Sequence, residues 1–238
     1  MLLVADGSYA YMGPANGQIG MAGMLGAPGF PGAIRGAAAA GDGAWYVTAS
    51  FGEVYRWSPA RQENEVLAEG HDLLMGVAAD SSGRVVFAEF GAGRVLSLEN
   101  GAVSALATGL DAPSGVAIAA DGTVYATESG AGRLVRLRNG AAETVADGLQ
   151  VPEGVAVAGD SIYVVDVAAR ELVRFGTDGT GRETIISGLP VARRNLGPVG
   201  DMSGPMLSFA GLAAGPDGKL YVGADGNGSV MALTPPRA

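Results

Sequence analysis

The 238-residue sequence contains no cysteine, which excludes disulfides, thiolate metal sites and a cysteine nucleophile. A chain of this length removes roughly 70–75% of its extended surface from water on folding, so a core forms without covalent or metal staples. Cations are sparse as well: 15 in all, of which Lys219 is the single lysine, against 24 acids, for a net charge of −9. The arginines are scattered, which argues against nucleic acid or an anionic membrane as partner, because both require a clustered basic face. No stretch approaches the roughly 20 apolar residues of a membrane helix, and the opening MLLVADGSYAY has no basic region before an apolar run. The sequence is expected to be soluble and cytoplasmic, without an export signal. Helical periodicity is missing too, since no apolar stripe recurs at three and four residues over a useful length.

What the sequence has instead is glycine, 40 residues of it, placed periodically. The stretch from Gly76 to Leu110 aligns almost without gaps on that from Gly115 to Leu149. Further copies begin at Gly154 and Gly211, with a degenerate one at Gly36. Successive leading glycines stand 40, 39, 39 and 57 residues apart, the last interval lengthened by an insertion over 190–207. Within each copy, apolar runs of four to six residues rich in Val, Leu and Tyr are separated by Asp-Gly, Asn-Gly or Gly-Ala-Gly. Such dipeptides tolerate the positive φ of tight hairpin turns. Four short strands every 40 residues predict a single-domain, all-β propeller of four-stranded antiparallel blades spanning 1–238.

Six blades are expected. The segment from Leu2 through Pro14 matches the second and third strands of the last copy, Tyr221 to Pro235, so the first blade lacks its inner strand and the last its outer one. In the alternative, residues 2–7 align with an outer strand and close a five-bladed ring.

The repeated Pro-x-Gly-Val-Ala, followed by Asp-Gly-x-hydrophobic-Tyr, an acidic residue and a Gly-rich turn, resembles the NHL-repeat and gluconolactonase (senescence marker protein) propellers. The resemblance covers nearly the whole chain and is specific for fold. Such propellers include lactonases, streptogramin lyases, strictosidine synthase-like enzymes and pure binding modules, so function has to come from the site.

In propellers of this kind, the residue before each leading glycine and the residue ending each second strand are expected around the channel mouth. The first set is Arg35, Met75, Ser114, Glu153 and Ala210; the second is Asp6, Ala49, Glu89, Glu128, Asp166 and Ala224, with Asp225 following. Carboxylates held close raise one another's pKa and attract a hard cation, so Glu89, Glu128, Asp166 and Glu153 are candidate ligands for Ca²⁺ or Mg²⁺. Each second-strand acid is equally suited to accepting N–H groups from its own turn. The gluconolactonase resemblance implies metal binding by Glu, Asn and Asp at the inner-strand position. Glu153 alone matches, and Ser114, Met75 and Ala210 do not.

His71 is the single histidine and, beside Glu89 or Glu128, a candidate base for lyase-like chemistry. A Ser114–His71–Asp111 triad lacks a nucleophile elbow and is set aside. The glycines at 17, 20 and 23 and the stretch from Gly215 to Lys219 are turn glycines rather than phosphate loops, since neither lies between a strand and a helix. Residues 190–207 and the Gly/Pro-rich run 23–33 are expected to lie over the mouth as lids, with Arg193 and Arg194 meeting a carboxylate-bearing ligand or balancing the acidic ring. Arg35 and Ser114 are the other expected substrate contacts.

These expectations amount to a small-molecule hydrolase resembling metal-dependent lactonases, with Glu153 and His71 as candidate catalytic residues. The alternatives are a non-catalytic ligand- or protein-binding propeller and a streptogramin-lyase-like enzyme. Open strand edges on the incomplete blades favour a homodimer.

Overall fold

A computed structural model of the chain describes residues 1–6, 9–15, 17–191 and 209–235. These residues form six consecutive antiparallel sheets, the blades of a propeller. Blade 1 holds β1 (Leu2–Asp6), β2 (Tyr9–Gly13) and β3 (Gly20–Met24). Blade 2 holds β4 (Ile34–Ala39), β5 (Trp45–Ala49), β6 (Val54–Ser58) and β7 (Glu63–Ala68). Blade 3 holds β8 (Leu74–Ala79), β9 (Val85–Glu89), β10 (Arg94–Glu99) and β11 (Ala102–Thr108). Blade 4 comprises β12 (Pro113–Ile118), β13 (Val124–Glu128), β14 (Arg133–Arg138) and β15 (Ala141–Ala146). Blade 5 comprises β16 (Pro152–Ala158), β17 (Ser161–Asp166), β18 (Glu171–Gly176) and β19 (Glu183–Ser187). Blade 6 has β20 (Leu212–Ala214), β21 (Leu220–Ala224) and β22 (Ser229–Leu233).

The strands of blade 1 are its second, third and outer ones. β1 pairs only with β2, and its residues Leu3 and Ala5 pack on Ile34 and Val47 of blade 2 as a second strand's do. The five-bladed alternative, in which residues 2–7 pair with the last blade, is therefore corrected: β1 pairs with β2, and among the described residues β22 pairs with β21 alone.

Turn chemistry explains the hairpins. Asn100-Gly101 and Asn139-Gly140 join third to outer strands with φ of 50° and 78°, and 51° and 80°, the positive pair that a two-residue turn of the right twist requires. Between inner and second strands, an aspartate side chain caps the turn by accepting the amide two residues on: Asp42 from Ala44, Asp80 from Ser82, Asp121 from Thr123 and Asp217 from Lys219.

The core is divided among the contacts between neighbouring blades. Trp57 and Ile34 fill the first contact, Phe87 and Leu74 the second, and Val95 and Val135 the third. Phe175 with Leu134, then Leu172 with Leu220, fill the remaining two. Burying each such side chain contributes about 1.5–3 kcal/mol, so stability is distributed around the ring. Among the described residues, no buried apolar cluster joins blade 6 to blade 1.

Candidate functional site

Every complete blade carries a bulge in its inner strand at the dipeptide ending in the leading glycine. The register shifts between Ile34 and Ala37, Leu74 and Val77, Pro113 and Val116, and Pro152 and Val155. An extra residue at a bulge re-aims its side chain. Thr127 shows what the bulge does: its Oγ1 accepts the Gly115 amide at 2.8 Å and donates to the Glu153 carbonyl of the next blade at 2.6 Å. Thr48 does the same between the Gly36 amide and the Met75 carbonyl.

The residues before the leading glycines consequently do not all face the mouth. Met75 is 2% exposed inside the apolar contact between blades 3 and 4. Ser114 is 1% exposed, with its hydroxyl 3.1 Å from the Pro152 carbonyl and 2.7 Å from the Ser129 hydroxyl, so it is bound to the scaffold rather than presented to substrate. Arg35 lines a cavity of about 160 Å³ along the channel and donates its Nε–H to Ser50 Oγ at 2.6 Å. Burial pushes its pKa down. Arg193 and Arg194 lie outside the described residues, as does most of the 190–207 insertion. The run 23–33 packs against blade 2, with Phe30 edge-on to Trp57 at 5.3 Å and Gly32 beside Ala49 and Phe51.

The second-strand acids are buried fasteners. Glu89 Oε1 accepts the Asp72 amide at 2.9 Å, and its Oε2 accepts the Arg94 guanidinium at 2.6 Å. Glu128 repeats this one blade on, with the Asp111 amide at 2.8 Å and Arg133 at 2.6 Å. Asp166, with no arginine five residues later, accepts amides from Gln150, Val151 and Ala169. Burial pushes Glu89 up, but hydrogen bonds from Arg94 and Asp72 and the charges of Arg94 and His71 outweigh it and lower its pKa. Each acid thus ties the preceding connection to its own blade, and three of the four expected metal ligands are engaged elsewhere. Among the described residues, no three His, Cys, Asp or Glu side chains are grouped to hold a metal ion. The carboxylate oxygens of Glu89 and Glu128 are instead taken up by guanidinium and amide donors, and those of Asp166 by amides.

His71 stands 3.7 Å from Glu89 Oε1 through Nδ1 and edge-on to Phe87 at 5.3 Å. Its ring is held in the connection between blades 2 and 3, beside a carboxylate already paired with Arg94. The lyase-like pairing of His71 with Glu89 is present as a contact, within a structural network.

Glu153 differs from the other acids. It is half-buried, and its Oε2 accepts the Ala210 amide at 2.6 Å. Burial pushes its pKa up to about 7; the Ala210 amide opposes the rise and the charge of Asp225 adds to it. A carboxyl that changes protonation near neutrality can donate or accept a hydrogen bond. Asp225 follows β21 directly, and both acids belong to the ring that the repeats place around the channel mouth.

No protein-family model matches the sequence, and no curated protein matches it. Solved structures do share the fold. A gluconolactonase from Xanthomonas campestris superposes with a TM-score of 0.64 at 20% identity, covering 85% of this chain and 75% of that one. A chain of a nidogen–laminin complex gives 0.65 at 16% identity, covering 75% of each chain. A virginiamycin B lyase from Staphylococcus aureus gives 0.63 at 14% identity, covering 98% of this chain and 79% of that one. The likeness is one of fold, in agreement with the propeller resemblance carried by the repeats.

Proposed function

We propose that this chain is a binding propeller that takes a ligand at the channel mouth beside Glu153. The observation behind this reading is the engagement of Glu89, Glu128 and Asp166 in buried hydrogen bonds, two of them with arginine. A metal site built on these second-strand acids needs their oxygens free, the inner-strand positions that the lactonase resemblance implies supply only Glu153, and a lyase of the expected kind needs His71 beside an unpaired acid. What remains at the mouth is Glu153, poised between its two protonation states, with the Arg35-lined cavity along the channel. Such a carboxyl is suited to a neutral ligand bearing an amide or carbonyl, toward which its protonated form donates. One of the similar structures is a protein–protein complex, in line with a binding role.

A second reading has one observation in its favour. A carboxyl pushed up to about 7 matches a general acid or base, so metal-independent hydrolysis of a lactone or ester through Glu153 is the catalytic alternative.

A ligand panel read by thermal shift separates the two. Binding predicts ligands that raise the melting temperature and are recovered unchanged, with affinity lost in Glu153→Leu and retained in part in Glu153→Gln. Catalysis predicts product, with a pH profile inflecting near 7 that disappears in Glu153→Gln. Ligands that bind undiminished to Glu153→Leu overturn the proposal.

A further inference from the structure

The leading glycines set the width of the channel. A Cβ added to Gly36, Gly76, Gly115 or Gly154 overlaps the carbonyl oxygen of Met75, Ser114, Glu153 or Ala210, respectively. Only glycine permits that approach of one backbone to another, so the inner strands draw together around a cavity of about 160 Å³. The residue after each leading glycine lines that cavity: Ala37, Val77, Val116, Val155 and Leu212. These five occupy one repeat position and form an aliphatic collar at one depth. An apolar cavity of about 150 Å³ takes a guest the size of benzene, so the collar is matched to a single small apolar group such as a leucine or valine side chain.

The position before the leading glycine lies one step nearer the mouth. Among the described residues lining the cavity, Arg35 is the only charged one. The bulge between Ile34 and Ala37 re-aims it, and Ser50, itself buried, accepts its Nε–H at 2.6 Å, which fixes the plane of the guanidinium. A guanidinium has five N–H donors in a planar fork, so it serves several acceptors together and matches both oxygens of a carboxylate. The burial that pushes its pKa down also strengthens its attraction for an anion, since less water screens the pair.

Glu153 holds the same repeat position as Arg35, on blade 5 rather than blade 2. Three blades apart in a ring of six, the two stand on opposite sides of the mouth at one level, above the collar. Glu153 takes the Ala210 amide on Oε2, and a carboxyl group exchanges hydrogen bonds with a neutral amide or carbonyl. The mouth thus combines a cation, a partner for an amide and an aliphatic collar below. The end of a polypeptide carries the three counterparts on neighbouring atoms: an α-carboxylate, the last peptide group and the terminal side chain. An N-terminal ammonium would instead meet the like charge of Arg35.

We infer that the channel mouth receives the C-terminus of a peptide ending in an aliphatic residue, with its α-carboxylate on the Arg35 guanidinium, its last peptide group against Glu153 and its terminal side chain in the collar of Val77, Val116 and Val155. This deepens the binding reading at Glu153 and rests on it. The neutral group beside Glu153 is then a peptide amide, and the ligand's charge sits at the Arg35 end.

The test titrates three peptides into the whole chain by isothermal titration calorimetry at pH 6: acetyl-Ala-Ala-Leu with a free carboxylate, the same peptide as its C-terminal amide, and acetyl-Ala-Ala-Gly with a free carboxylate. The expected result is saturable one-to-one binding of the first. The amide, which lacks the charge, and the glycine peptide, which lacks the side chain, each bind at least tenfold more weakly. Arg35→Gln removes the preference for acid over amide, and Arg35→Lys keeps part of it. The comparison of acid with amide is made on the parent protein, so it stands even if Arg35→Gln melts early. Glu153→Leu weakens acid and amide alike and leaves their ratio unchanged; the ratio therefore reads Arg35, the common loss reads the site at Glu153, and the two fail separately. Absence of saturable binding, equal affinity for acid and amide, equal affinity for the leucine and glycine peptides, or a preference for the acid that survives Arg35→Gln overturns the inference.

Discussion

The Ala210 amide donates a 2.6 Å hydrogen bond to Glu153 Oε2, joining an inner-strand carboxyl of blade 5 to the chain that enters blade 6. The acids that end the second strands of blades 3, 4 and 5 are each satisfied within their own blade and the preceding connection. Glu153 reaches forward to the next blade, and its protonation is coupled to how blade 6 is held.

That coupling has a pH sign. The folded-state pKa of Glu153, about 7, lies above the ordinary carboxyl value of 4.5, so folding favours its protonated form. The stabilising contribution is complete below about pH 4.5 and is lost as pH rises through about 7. Its ceiling is roughly 3–4 kcal/mol, and because the group is only half-buried the realised loss is smaller. Chemical denaturation at pH 5 and pH 8 should show this loss in the parent. Glu153→Gln, which keeps an acceptor for Ala210, should flatten the profile and exceed the parent in stability at pH 8.

Breaking a buried fastener should also destabilise. Glu128→Ala leaves the Asp111 amide without its partner and Arg133, whose side chain is partly exposed, without its carboxylate, a loss of about 1–3 kcal/mol. Urea midpoints check this. In a double-mutant cycle with Arg133→Ala, the two losses should be strongly non-additive.

The bulge threonines predict a specific effect. Thr127→Val removes the bridge between the Gly115 amide and the Glu153 carbonyl and should cost about 1–3 kcal/mol, while Thr127→Ser should recover most of it. Thermal melts of the two variants distinguish loss of the hydroxyl from loss of packing.

The glycine ring predicts a contrast within one residue type. Gly115→Ala forces a methyl group against the Glu153 carbonyl and should lower the melting temperature sharply. Gly211→Ala, at the equivalent place in blade 6, should be close to neutral because nothing lies within 4 Å. Equal effects at both positions contradict the difference in packing between Gly115 and Gly211 among the described residues.

The blades were legible in the sequence because their cause is local. Asn100-Gly101 and the Asp80 cap each determine a turn from two or three adjacent residues, and the period of those turns sets the strands. The opening strands were legible because the match to Tyr221–Pro235 continued through a whole hairpin. The site was less so. The position of Met75 and Ser114 depends on a bulge that turns the residue before each leading glycine toward the next blade, which strand alternation does not reveal. The roles of Glu89 and Glu128 depend on Arg94 and Arg133, five residues on across a Gly-rich turn. That spacing was visible in both copies, and its change at Asp166, followed by Glu171, marked the blade where backbone amides take over. Proximity of Glu153 and Asp225, from different blades, follows from the repeat rather than from any local signal.

The most direct test of the binding reading over a metal site is a thermal-shift titration with Ca²⁺, Mg²⁺, Mn²⁺ and Zn²⁺ against EDTA, on the parent, Glu128→Gln and Glu153→Gln. A cation that binds only the folded state stabilises by about 2.7 kcal/mol at a hundred times its dissociation constant, a shift well within measurement. The account predicts no cation-specific rise and no loss with EDTA, with Glu128→Gln less stable than the parent in every condition. A cation-specific rise in the parent, abolished in Glu128→Gln or Glu153→Gln, would contradict it and return these acids to a metal centre.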